Sequence, residues 1–181
     1  SCEKKISKNF FNNVSYTGKK FQFNENYLLV VNHPESTENK NNNLKNIDIL
    51  LRALPKIQSE DKKVKVIIAG LDRRAYSYGA PGSEGSWKKY LLKELENKID
   101  LSRVCFTGLL TYENYRRLLW RSDLHCYFTR DYVTSWSLFE SLACGTNLLI
   151  SETEATNNIA IKDSTSWVDI DNKEEIEHMI I

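Results

Sequence analysis

Thr134 to Ser151 reads T-S-W-S-L-F-E-S-L-A-C-G-T-N-L-L-I-S. A polar loop leads into a short helix starting near Ser137, Gly145 stops that helix, and an apolar run from Asn147 to Ile150 has the character of a strand. A loop-helix-strand unit of this kind aims its helix N-terminus at whatever lies above the sheet, and a helix N-terminus suits anions. A nucleotide diphosphate is the natural ligand. Ser135 and Ser137 are placed to cap the helix, and Glu140, one turn in, offers two acceptor oxygens to vicinal hydroxyls such as those of a ribose. Taken alone, the stretch also fits an ordinary capped helix in an α/β protein.

The pattern around it repeats the same unit. Residues Ser1 to Asn26 form a polar entry segment with scattered aromatics, and Tyr27 to Val31 is then a continuous apolar run, as in a strand buried on both faces of a parallel sheet. The loop Asn32 to Asn43 precedes an amphipathic helix, Leu44 to Gln58, expected to end beyond Pro55 or to kink there. Val64 to Ala69 is a second strand closed by Gly70, and Leu71 to Ser86 a long loop. Trp87 to Lys98 reads as a helix, Val104 to Thr107 as a third strand closed by Gly108, and Thr111 to Arg121 as a helix capped by Thr111 with Glu113 in its first turn. Asp123 to Thr129 is a fourth strand, and Asn147 to Ile150 the fifth. Glu154 to Ile161 is expected to be a short helix, Trp167 to Ile170 the last strand, and Lys173 to Ile181 the last helix. About six strands alternating with helices predict an α/β fold, a doubly wound Rossmann-like parallel sheet with helices on both faces. Its ligand edge is the carboxyl ends of the strands, where the loops carrying His33, Gly70, Gly108 and Thr129 lie.

Composition narrows the function. The 181 residues suffice for one core, and two full domains would be cramped. Lys and Arg number 25 against 24 Asp and Glu, a net charge of +1, which does not recommend a nucleic-acid binder. Cys2, Cys105, Cys126 and Cys144 lie far apart without metal spacing, so reduced and mostly buried thiols are expected. Neither a signal-like apolar segment nor a membrane-spanning run occurs, and a cytoplasmic location is the expectation. G-x-G-x-x-G, G-x-x-x-x-G-K-[ST] and G-x-S-x-G are all absent, which argues against a dinucleotide oxidoreductase, a P-loop NTPase and a serine hydrolase elbow. Of the three histidines, His125 alternates within a strand and reads as structural, His178 as solvated, and His33 ends the first strand at the ligand edge.

These residues resemble a known family. S-W-S-L-F-E-S-L-A-C-G, preceded by L-H-C-Y-F-T and followed by E-T-E-A-T-N-N-I, looks like the donor-nucleotide signature of family 4 glycosyltransferases with the GT-B fold, in the subgroup carrying S-W-S-x-x-E-A-M-A-x-G. The order of the other pieces agrees: Lys45 opening the first helix, G-x-D-R at Gly70 to Arg73, V-C-F-T-G at Val104 to Gly108, and the tract Y-E-N-Y-R-R-L-L-W-R-S-D. The resemblance spans roughly Tyr27 to Ile170, the C-terminal half of such an enzyme.

It implies roles residue by residue. Glu140 matches the glutamate that binds the ribose hydroxyls; Ser135, Trp136, Ser137 and Leu138 match the loop whose backbone N–H groups face the diphosphate and sugar. Lys45 matches a basic phosphate ligand offsetting charge on the leaving nucleoside diphosphate, so Lys45 and Glu140 are the residues expected to serve the reaction itself. Arg73 is a weaker candidate for the same work, and Gly70 belongs to its loop. Thr107, Gly108, Leu109 and Leu110 would line the base through backbone groups. The donor would be a UDP- or GDP-sugar, bound without metal or cofactor because Lys45, the helix dipole and backbone donors take the place of a divalent cation. The reaction implied is hexosyl transfer, with retention, to a glycan or lipid-linked acceptor in polysaccharide biosynthesis.

Two departures stand out. The family's first glutamate, eight residues before Glu140, falls on Tyr132, with Asp131 one position off; the arginine after the first strand falls on His33 or Asn32. A GT-B enzyme also has an N-terminal acceptor domain, so residues 27–181 are expected to be the nucleotide-sugar-binding domain of a longer protein, inactive alone. That partner domain would mediate any contact with a membrane surface. Two alternatives stay open: a non-catalytic α/β nucleotide-binding or interaction module, and half of a sugar-nucleotide epimerase.

Overall fold

The computed structural model describes residues 47–72, 86–130, 134–159 and 165–181, with the strand backbone at 15–16, 19–20 and 27–31. Strands β1 (Ser15–Tyr16) and β2 (Lys19–Lys20) form a two-residue antiparallel ladder beside the main sheet. The chain then runs through β3 (Tyr27–Val31), α1 (Ile47–Glu60), β4 (Lys65–Ala69), α2 (Trp87–Glu94), a 3-10 turn at Leu101–Arg103, β5 (Val104–Gly108) and α3 (Tyr112–Arg121). It continues as β6 (Leu124–Tyr127), α4 (Trp136–Ala143), β7 (Leu148–Ser151), α5 (Glu154–Asn157), β8 (Thr165–Val168) and α6 (Lys173–Ile180).

The six strands pair parallel throughout, in the order β5-β4-β3-β6-β7-β8. From β3 the sheet grows outward to β5, crosses back, and grows the other way from β6 to β8. The winding reverses between β3 and β6, and the carboxyl ends of these two strands are where a sheet of this kind takes its ligand.

Both faces are covered, as a parallel sheet with apolar runs requires. On one side Val66, Ile68, Cys126 and Leu149 pack with Leu50, Leu54 and Ile57 of α1, Leu91 of α2 and Ile176 of α6. On the other, Tyr127, Leu148 and Ile150 pack with Leu138 and Leu142 of α4. Each fully buried leucine or isoleucine contributes roughly 2 kcal/mol of transfer free energy. The alternation of side chains along β6 and β7 sorts them between the two cores.

Several expected boundaries move, for physical reasons. Helix α1 runs through Pro55 to Glu60, although the proline has no N–H to give the Leu51 carbonyl. Leu50, Leu54 and Ile57, on either side of the proline, are buried on its core face and anchor both halves. Its expected first residues, 44–46, are outside the described part. Helix α2 ends at Glu94, four residues before Lys98, because the chain tightens into turns at 95–98 with Lys98 N–H on the Leu95 carbonyl. Strand β6 stops at Tyr127; Phe128 and Thr129 are buried but leave the ladder. Strand β7 is displaced one residue, to Leu148–Ser151. The α5 helix has only four residues, held by the reciprocal Thr153–Thr156 capping box, where Glu154 to Ile161 had been expected. Strand β8 is Thr165–Val168, earlier than Trp167 to Ile170: it is an edge strand, so its polar start pairs as readily as its apolar end.

Cys105 and Cys126 are buried free thiols and Cys144 is half-buried. Among the described residues no helix is long and apolar enough to cross a membrane.

Candidate functional site

The site is built on α4 and the strand ends around it. Tyr127, the last residue of β6, points to the α4 side and its phenol oxygen accepts the Ser135 N–H at 3.0 Å. Ser135 occupies the N-cap position in an extended conformation, yet its hydroxyl does not cap; it pairs with Ser137 Oγ at 2.6 Å. Both expectations for Ser135 therefore need correction, since its hydroxyl leaves the helix uncapped and its N–H is committed to Tyr127. The first-turn N–H groups of Trp136 and Ser137 have no carbonyl behind them within the helix, so they are what α4 offers an anion.

Three interactions hold that turn in place. Leu138 is wholly buried between α4 and the sheet and anchors the turn to the core. Ser141 Oγ donates to the Ser137 carbonyl at 2.6 Å and lies 2.8 Å from His125 Nδ1. With the serine proton so used, Nδ1 is the donor of that second bond. At the far end Gly145, at φ +65°, closes the helix: Gly145 N–H bonds to the Leu142 carbonyl and Thr146 N–H to the Ser141 carbonyl. Trp136 is 82 % exposed and stands edge-on to Phe139.

Glu140 is half-buried one turn into α4. The phenol of Tyr115, on α3, lies within electrostatic and hydrogen-bonding reach of it. Burial and the neighbouring Glu140 carboxylate together push the Tyr115 phenol well above its ordinary range.

Hydroxyls bind the carboxyl ends of β6 and β7 to each other. Ser151 Oγ accepts the Thr129 N–H at 2.8 Å and donates to the Thr129 carbonyl at 2.7 Å, and Thr156 Oγ1 donates to the Ser151 carbonyl at 2.7 Å. Beyond Thr129, Arg130 makes a two-pronged ion pair with Asp171, at 3.0 and 2.5 Å. That hydrogen-bonded cation holds the Asp171 carboxyl below its usual range. In α1, burial raises the Asp48 pKa against the opposing pull of Arg52, which reaches Asp48 at 2.7 Å and grips both oxygens of Glu94 at 2.7 and 2.9 Å.

The remaining candidates lie along the same carboxyl edge. Gly70 follows β4 at φ +134° and donates its N–H to the Gly108 carbonyl at 3.0 Å, so this expected contact has its backbone donor engaged. Gly108 ends β5 at φ +67°, a left-handed conformation that favours glycine. Thr107 Oγ1 donates to the Gly108 carbonyl at 2.9 Å; Leu109 beyond it is exposed and Leu110 half-buried. These four belong to the β5 end of the sheet, and the Ser135 to Leu138 turn to its β6 end. Lys45, Arg73, His33, Asn32, Asp131 and Tyr132 fall outside the described residues. Three residues that sequence reasoning passed over take part: Tyr127 holds the start of α4, Tyr115 neighbours Glu140, and Arg130 ties the chain just after β6 to Asp171. Tyr127 carried a signal, since an aromatic with a polar tip ending a buried strand seeks a partner at the edge.

A doubly wound sheet whose winding reverses beside a helix N-terminus defines the class of Rossmann-like ligand-binding domains. Within it the family is settled by sequence: the family model of the Glycosyl transferases group 1 matches residues 39–181, and the chain belongs to that family. No curated protein matches the chain in sequence. Among solved structures it is similar to TarM, at 17 % identity and a TM-score of 0.60, over 84 % of this chain and 27 % of that one. Anabaena Alr3699/HepE in complex with UDP is similar at 16 % identity and a TM-score of 0.60, over 86 % and 38 % of the two chains. Sucrose-phosphate synthase from Thermosynechococcus elongatus is similar at 16 % identity and a TM-score of 0.59, over 86 % and 35 %. The chain thus spans between 27 % and 38 % of the length of these three proteins, all of which share its fold.

Proposed function

We propose that the chain is the donor-nucleotide half of a glycosyltransferase that moves a hexose from a UDP- or GDP-sugar to a glycan or lipid-linked acceptor, with retention. The observation that carries this reading is Glu140, a half-buried carboxylate one turn into α4, at the edge where the winding reverses, in a chain of this family. Its two oxygens suit the ribose hydroxyls, while the N–H groups of Trp136 and Ser137 and the α4 dipole suit the diphosphate. Lys45 would offset phosphate charge, with Arg73 in support, and the backbone from Thr107 to Leu110 would flank the base. UDP in the HepE structure supports this assignment by likeness of fold.

On this reading residues 27–181 are one nucleotide-sugar-binding domain after a linker of 26 residues, the partner is an N-terminal acceptor domain of the same protein, and the location is cytoplasmic. No metal or cofactor is required. Tyr132, standing where the family has its first glutamate, favours a second reading, a nucleotide-binding module without transfer activity.

Calorimetric titration of the 181-residue chain with UDP and GDP tests the donor site. One of them should bind, and Glu140→Ala should weaken it at least about ten-fold, the loss of roughly 1.5–3 kcal/mol expected for hydrogen bonds to a charged group. No binding of any nucleoside diphosphate would refute the reading.

A further inference from the structure

Tyr115 has a buried hydroxyl that completes no hydrogen bond of good geometry to any described residue, although the Glu140 carboxylate lies within its reach. A buried phenol O–H without a partner costs about 1–3 kcal/mol, and such groups are rare in folded chains. Its surroundings narrow what the hydroxyl is for. Tyr115 lies on the face of α3 that carries Leu118 and Leu119 into the core, three and four residues on. Thr146, just past the end of α4, donates its hydroxyl to the Leu119 carbonyl at 2.9 Å, so this face abuts α4. The α4 groups that act on the phenol are Glu140 and Cys144, one turn apart and therefore on one stripe of that helix. Glu140 is the only carboxylate among them. A half-buried carboxylate with a phenol at its flank has one edge for the protein and one for solvent.

We infer that Tyr115 is a positioning residue for Glu140: its hydroxyl donates to one carboxylate oxygen when ligand is bound and turns the carboxylate so that it faces a vicinal diol. The inference rests on the donor-site reading above and sharpens it. A free glutamate side chain samples several rotamers, and ordering it on binding opposes affinity. A phenol donor placed at the back of the carboxylate by the packing of α3 against α4 limits the orientations open to it once ligand arrives. The preference for a ribose over a deoxyribose therefore depends on an α3 residue that never touches the nucleotide.

The test compares UDP with 2′-deoxy-UDP by calorimetry, on the 181-residue chain and on Tyr115→Phe, which keeps the ring and removes the oxygen. Wild type should favour UDP, and Tyr115→Phe should lower UDP affinity about five-fold, as for one lost hydrogen bond, with little change for 2′-deoxy-UDP. On a Glu140→Ala background the same change should alter neither affinity. If Tyr115→Phe leaves UDP binding untouched, or weakens both ligands equally as a packing defect would, the inference is overturned while the donor site stands. If wild type binds neither ligand, the donor-site reading and this inference fail together. Should Tyr115→Phe fail to fold, Tyr115→Leu gives the same comparison, read only on protein with a cooperative melt.

Discussion

His125 shows what burial does to a base that serves only as a donor. It is completely enclosed between β6 and α4, its Nδ1–H is committed to Ser141, and Nε2 has no partner among the described residues. Desolvation drives its pKa from 6.5 down to about 3. Above pH 6.5 the ring is neutral in both folded and unfolded chains. Between that value and about 3 only the unfolded chain takes up the proton, so stability falls as pH drops through this window. Melting temperatures between pH 7 and pH 4 should decline more steeply for wild type than for His125→Gln, whose side chain does not titrate. Equal slopes would mean that the ring is solvated. The structural role of His125 was legible in its alternation within an apolar run. That of Tyr115 was not, because an aromatic near a helix start reads equally as core or surface until the facing helix is known.

In α1 a missing hydrogen bond is set against an arginine that ties the helix to its neighbour. Pro55 leaves one helical hydrogen bond unmade in the middle of a fourteen-residue helix. Pro55→Ala should raise stability to denaturant by about 1–2 kcal/mol, less than the full proline penalty because the unfolded chain also gains freedom. No change in urea midpoint would show that the helix had adapted to the ring. Arg52 works the other way, joining α1 to α2 through the two oxygens of Glu94 while also holding Asp48. Its side chain is 37 % exposed, so solvent weakens the pairs, and Arg52→Ala should cost only about 1–2 kcal/mol in the same urea titration. The loss should be largest near neutral pH and shrink in acid: without Arg52, Asp48 rises further and its carboxylate costs more as pH climbs, while Glu94 loses the cation that holds it low, so variant and wild type should converge at low pH. Alternation of apolar strands with periodic helices made all six strands and their parallel class readable. The strand ends were not, because hydrogen-bond pairing along β6, β7 and β8 is set by neighbouring strands and leaves no local trace in the sequence. In the same way the Ser135 to Leu138 turn was legible as a helix start. Capture of the Ser135 N–H by Tyr127 depends on a contact eight residues back across the strand-to-helix loop.

For the molecule as a whole, the donor-site proposal predicts that nucleotide stabilises folding as well as binding. UDP or GDP at a hundred times its dissociation constant should add about 2.7 kcal/mol to the unfolding free energy, seen as a rise in melting temperature. On the same proposal the chain alone transfers no sugar, and mixing it with its N-terminal acceptor domain should restore turnover; transfer by the 181-residue chain alone would contradict the division of labour. The sheet order has a further consequence, in time. β3 and β6, which flank the point where the winding reverses, pair Leu28 with Leu124 and Leu29 with His125. That ladder joins segments roughly a hundred residues apart, whereas each outer strand adds to a neighbour one crossover away, and loop closure makes such distant pairings slow to form. The two local βαβαβ halves are therefore expected to form before the central ladder closes, which would make the carboxyl edge between them a late product of folding. A nucleotide that binds there would report the final step of folding, and would favour it by mass action.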